Sequence, residues 1–115
     1  MEIKIRRVYE ESSAEDGKRI LVDRLWPRGV SREKAGVDEW FKEAAPSDAL
    51  RKWYDHDPKK FVEFKKRYVA ELTAGKAFEE LLNYLRSQPK ATLLFAAKEV
   101  ELSNAAVLEE MIRKH

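Results

Sequence analysis

The run Ala91-Thr92-Leu93-Leu94-Phe95 offers water almost no polar side chain, and Pro89 separates it from the helical pattern before it. A strand of that composition must be covered on both faces, which is the condition of an internal strand in a parallel sheet. The patterns around it supply the cover. Asp57-Pro58 caps a helix and places proline at its first turn, and Phe61, Phe64, Tyr68 and Leu72 recur at helical intervals. Gly75 closes that helix, and Phe78, Leu81, Leu82 and Leu85 define another that stops before Pro89. A last helix from about Asn104 carries Ala105, Leu108 and Ile112 inward.

The N-terminal half supplies the other strands. Glu2 to Tyr9 alternates, with Ile3, Ile5 and Arg7 on one side, and Arg19 to Leu25 holds the short apolar run Ile20-Leu21-Val22. Between them Glu10 to Lys18 is acidic, serine-containing and closed by Asp16-Gly17, the composition of a solvated turn. Ser31 caps a short helix through Arg32–Ala35 that Gly36 stops. Val37 to Ala44 is read as a further strand, and Ser47-Asp48 as a helix start after the break at Ala45-Pro46. Strands separated by helices predict a small α/β fold over 1–115 as a single domain, with a short, mainly parallel sheet flanked by helices. The length of 115 residues allows one core without disulfides or metals.

In such sheets ligands sit at the carboxyl ends of the strands. The second strand leads into Val22-Asp23-Arg24-Leu25-Trp26-Pro27-Arg28-Gly29-Val30-Ser31, where Pro27 and Gly29 demand a shaped loop. Arg24 and Arg28 are suited to holding a phosphate or carboxylate by charge-assisted hydrogen bonds. Trp26 is either a stacking platform for a ring or a core anchor. Parallel neighbouring strands would bring Asp23, Arg24, Arg28, Lys98 and Asn104 to one edge, with Ser47 and Arg51 adding a helix N-terminus and a further guanidinium. Asp23 is the best candidate general base, and Lys98 an electrostatic group or an activated amine. His56, between Asp55 and Asp57, is read as a surface residue between helices, with acid–base work the alternative.

Charge and composition limit the classes. Lys and Arg number 23 against 21 Asp and Glu, so a basic surface must be local, which weakens a nucleic-acid reading. The chain has no cysteine and two histidines, which removes thiol chemistry and leaves a metal site short of ligands. No glycine-rich phosphate loop or serine elbow occurs, and no cofactor is expected. Met1 to Ile5 opens in strand-like alternation with no apolar leader, and no run approaches a membrane span, so a cytoplasmic protein is expected.

The focal run, then Trp40, Ala45-Pro46-Ser47, Leu50-Arg51, Trp53-Tyr54-Asp55-His56-Asp57-Pro58, Phe64, Tyr68 and Glu71-Leu72, resembles the YeaO-like family of uncharacterised bacterial and archaeal proteins. Thr92 to Lys98 and Asn104-Ala105 are similar to that family's C-terminal pattern, so the resemblance covers nearly the whole chain. It implies a small α/β fold and draws attention to Asp23, Arg24, Trp26, Pro27, Arg28, Ser47, Arg51, Lys98 and Asn104. Phe95 and Glu99 depart from the tyrosine and aspartate expected in many relatives.

Three functional readings follow. The first is an anionic small molecule or nucleotide bound in an arginine-lined pocket at the strand carboxyl ends, with or without catalysis. The second is a nucleic-acid- or protein-binding module using the same basic edge. The third makes the motif an ion-pair network that shapes the fold, with Asp23 paired to Arg24 or Arg51. The oligomeric state is not encoded in any of these patterns.

Overall fold

A computed structural model describes residues 2–115. Its sheet has four parallel strands, β1 (Glu2–Arg7), β2 (Lys18–Leu21), β3 (Glu39–Trp40) and β4 (Lys90–Phe95), in the order β1-β4-β2-β3. β4 is internal, paired with β1 from Glu2↔Lys90 to Arg7↔Phe95 and with β2 from Lys18↔Ala91 to Leu21↔Leu94. Every residue from Ala91 to Phe95 is buried, as its composition requires.

The helices are α1 (Arg32–Ala35), α2 (Asp48–Tyr54), α3 (Phe61–Ala74), α4 (Ala77–Arg86) and α5 (Asn104–Arg113). Serine oxygens accept the free N–H groups at three starts, Ser31 from Lys34, Ser47 from Leu50 and Ser103 from Ala106. Gly36 ends α1 in the left-handed conformation at φ 62°. Among the described residues no helix is long and apolar enough to cross a membrane.

The two sheet faces are unequal. Ile3, Ile20, Val22, Leu93 and Phe95 pack with α2, α3, α4 and α5 into the main core around Phe64, Tyr68, Leu81 and Leu108. On the other face Val8, Leu21 and Leu94 meet Ala35 and the side chains of Trp26, Val30, Val37 and Trp40.

Several boundaries differ from the sequence reading. β1 stops at Arg7 rather than Tyr9, and β2 stops at Leu21, so Val22 to Leu25 belongs to the loop. The strand expected over Val37 to Ala44 shrinks to Glu39–Trp40 and gives way to a 3-10 turn at Lys42–Ala44.

The turn before β2 is solvated as expected from Glu10 to Lys18, with one exception. Asp16 is fully buried, and its carboxylate accepts from Arg19 Nη1 at 2.6 Å and Arg6 Nη1 at 2.8 Å, with Lys4 Nζ at 3.1 Å. Burial alone would raise its pKa. The bonds from Arg6, Arg19 and Lys4, and from the Ser13 N–H, outweigh that and hold the carboxyl well below the usual carboxylate range. The polar face of β1 is therefore partly a buried ion cluster.

Candidate functional site

Because β1, β4 and β2 run parallel as neighbours, their carboxyl ends open on one side of the sheet. The ladder runs on for one bond beyond each pair, with Val8 N–H donating to Phe95 O at 2.8 Å and Val22 N–H to Leu94 O at 3.1 Å. The chain segments then diverge around an open cleft of about 970 Å³. Asp23, Arg24, Trp26, Arg28, Arg51, Lys98 and Asn104 all line it. Ser47 does not: its Oγ caps α2, and both its N–H and its hydroxyl donate to the Glu71 carboxylate.

The lining residues divide into those the fold uses and those it leaves free. Asp23 is a junction. One carboxylate oxygen accepts from Ala96 N–H at 2.9 Å, the other from Asn104 Nδ2 at 3.2 Å, and its carbonyl accepts from Trp40 Nε1 at 2.7 Å. Asn104 Nδ2 also donates to Val22 O at 2.9 Å, so this pair joins β2, the end of β4 and the start of α5. Burial pushes the Asp23 carboxyl up, against the opposing pull of the Ala96 N–H, the Asn104 amide and the His56 charge. Among the described residues Asp23 forms no ion pair with Arg24 or Arg51, the pairing on which the third reading rested.

Arg24 is likewise committed. Its Nε donates to Pro46 O at 3.1 Å and its Nη2 to Ala45 O at 3.2 Å, while Nη1 lies 3.5 Å from Glu43. Pro46 lacks an N–H and breaks regular structure there, so these carbonyls have no ladder partner and the guanidinium satisfies them. Trp26 is an anchor rather than an open platform. Its Nε1 donates to Val30 O at 2.8 Å, Trp40 meets it edge-on at 5.4 Å, and the Arg32 guanidinium lies 4.5 Å from its ring centre.

Four cationic groups remain. Arg28, Lys52 and Lys98 are exposed, and none of the three side chains has a hydrogen-bond or ion-pair partner among the described residues. Arg51 touches Asp48 at 3.4 Å through Nη2, while its Nε is buried with no partner at all. The exposed His56 also lines the cleft, held at φ 55° beside Asp55 at φ 44°.

Sequence reasoning missed Tyr9. It lines the cleft from the end of β1, and only its position past a strand's carboxyl end pointed there. Among the described residues no group of three His, Cys, Asp or Glu side chains is placed to hold a metal ion.

Comparison with known proteins places the chain. Residues 2–115 match the family described as the Inactive DUF488-N3 subclade. The uncharacterized protein YeaO of Escherichia coli (strain K12) is 38% identical over 113 residues, 98% of each chain. An uncharacterized protein of Mycobacterium tuberculosis (strain ATCC 25618 / H37Rv) is 41% identical over 110 residues, covering 96% of this chain and 92% of the relative. No solved structure matches. The chain belongs to the Inactive DUF488-N3 subclade and is YeaO-like.

Proposed function

We propose, from membership of a subclade described as inactive, that the cleft binds a small molecule bearing a phosphate or carboxylate and performs no chemistry on it. The observation that carries this reading is the set of cations around one concavity that no protein acceptor claims, Arg28, Lys52 and Lys98, with Arg51 beside them. Guanidiniums suit such anions because their donors match the paired oxygens, and the strand carboxyl ends are where α/β sheets receive ligands. Asp23 shapes the cleft: one carboxylate oxygen accepts from Ala96 N–H and the other from Asn104 Nδ2, bonds that hold its two walls together.

The test is a thermal-shift series with phosphate, sulfate, sugar phosphates and nucleotides on the native protein and Arg28→Ala. A ligand at a hundred times its Kd adds about 2.7 kcal/mol of stability. A shift with one anion class that disappears in the variant, whose unliganded Tm stays near native, is the expected result. No shift with any anion sinks the proposal.

A further inference from the structure

Resting on that reading, we infer that Tyr9 is a ligand-binding residue, the platform for a planar ring, and that the ligand is an aromatic anion. Its recognition needs both a cation and a flat apolar surface, and of the Tyr, Trp and Phe rings that line the cleft one is in the right state. Trp26 is spent on Trp40 and Arg32, and Tyr54 and Phe64 are buried against each other at 4.0 Å in a stacked pair. Tyr9 alone is half exposed, at 48%, and lines the cleft.

The ring is also held in place, as a platform must be. Its hydroxyl donates to Arg28 O at 3.4 Å, and the Arg7 guanidinium lies 4.9 Å from its centre. Arg7 is itself fixed, donating through Nε to Ala97 O at 2.9 Å and through Nη2 to Ala96 O at 3.1 Å. The ring is thus tied on one side to the loop that carries Arg28 and on the other to the segment that leads to Lys98. A flat group laid on its exposed surface would carry an attached phosphate or carboxylate towards those two cations. Leu25, exposed at 57%, adds apolar surface to the same cleft.

A nucleoside phosphate and a simple aryl phosphate share this chemistry, and the test separates them. Affinities for adenosine 5′-monophosphate, phenyl phosphate, ribose 5-phosphate and inorganic phosphate are measured by calorimetry on the native protein, Tyr9→Ala, Tyr9→Phe and Arg28→Ala. Stacking on one aromatic side chain is worth roughly tenfold or more in affinity. The ring-bearing anions should therefore bind the native protein about tenfold tighter than ribose 5-phosphate. Tyr9→Ala should erase that margin without weakening ribose 5-phosphate, Tyr9→Phe should keep it, and Arg28→Ala should weaken all four. Preference for adenosine 5′-monophosphate over phenyl phosphate assigns the nucleotide; equal binding assigns the aryl anion. If ribose 5-phosphate binds as tightly as either ring-bearing anion, the ring platform is wrong while the anion site stands. If none of the four binds, the anion site fails and this inference with it.

Discussion

Replacing Asp16 by asparagine should remove more stability than any single change in the cleft. The side chain keeps its shape and an oxygen for the turn but loses the charge that faces Arg19, whose side chain is only 4% exposed. Removing one partner of a buried ion pair costs about 3–5 kcal/mol, because the survivor stays buried and uncompensated. Lys4 and Arg6 are 42% and 25% exposed, so water screens their share and they suffer less from the loss than Arg19. Arg19 also retains bonds to Ala35 O and Glu10 O, which sets the expectation at the lower end, about 3 kcal/mol. At roughly 4 °C per kcal/mol for a domain of this size, Tm falls by about 12 °C. Urea unfolding at neutral pH should show a lower midpoint with an unchanged slope.

The pH dependence is the stricter half of the assay. Asp16 is held below the ordinary carboxylate range in the fold, so its ionisation adds stability at every pH above its unfolded pKa of about 3.9. That contribution drains away as pH falls from there through the lower folded value. The native protein should therefore lose its advantage over Asp16→Asn as acid is added. A loss below about 1 kcal/mol at neutral pH, or an advantage that grows in acid, would refute the buried cluster as the source of stability.

Gly17→Ala should destabilise by more than Gly29→Ala. Both glycines have positive φ, 64° and 76°, so each substitution carries the left-handed penalty of about 1–2 kcal/mol. At Gly17 the new carbon also clashes with Lys90 O and the ψ of −138° adds a further backbone penalty, while Gly29 has open space, so the Gly17 variant should show the lower urea midpoint. Arg24→Ala should lower stability by about 1–3 kcal/mol by stranding the Ala45 and Pro46 carbonyls. Arg28→Ala should leave Tm nearly unchanged, and the reverse ranking of these two variants would overturn the division between committed and free arginines.

The parallel sheet was legible because β4 has a composition that only double-sided cover tolerates, and the helices because their caps and periodicities agree. The strand ends were less so. Ile20-Leu21-Val22 reads as an apolar strand that could run on to Leu25, yet β2 ends at Leu21 because Asp23 then turns its carboxylate to Ala96 N–H in place of a ladder bond. The burial of Asp16 escaped for a different reason. The acidic, serine-containing segment around it is solvated as its composition says, and the burial of this one carboxylate depends on three cations, Lys4, Arg6 and Arg19, arriving from two strands that are not adjacent in the sheet. Local composition contains no term for that convergence.

The cleft shows the same limit at the scale of single residues. Arg24 and Arg28 are four positions apart in one loop, and spacing alone makes them equivalent. They differ because Ala45 and Pro46 present two carbonyls that lack partners, and only Arg24 is within reach of them. Trp26 and Tyr9 part in the same way: the tryptophan stands in the eye-catching motif, and for that reason it is packed and hydrogen-bonded into the second core. A residue conspicuous for its chemistry is conspicuous to the fold as well, and backbone donors and acceptors left over at a strand end claim it first. The groups proposed to meet a ligand are thus the ones those claims pass over, Arg28, Lys98 and Tyr9, and each can change without breaking the Asp23, Asn104 and Arg24 bonds that hold the cleft open.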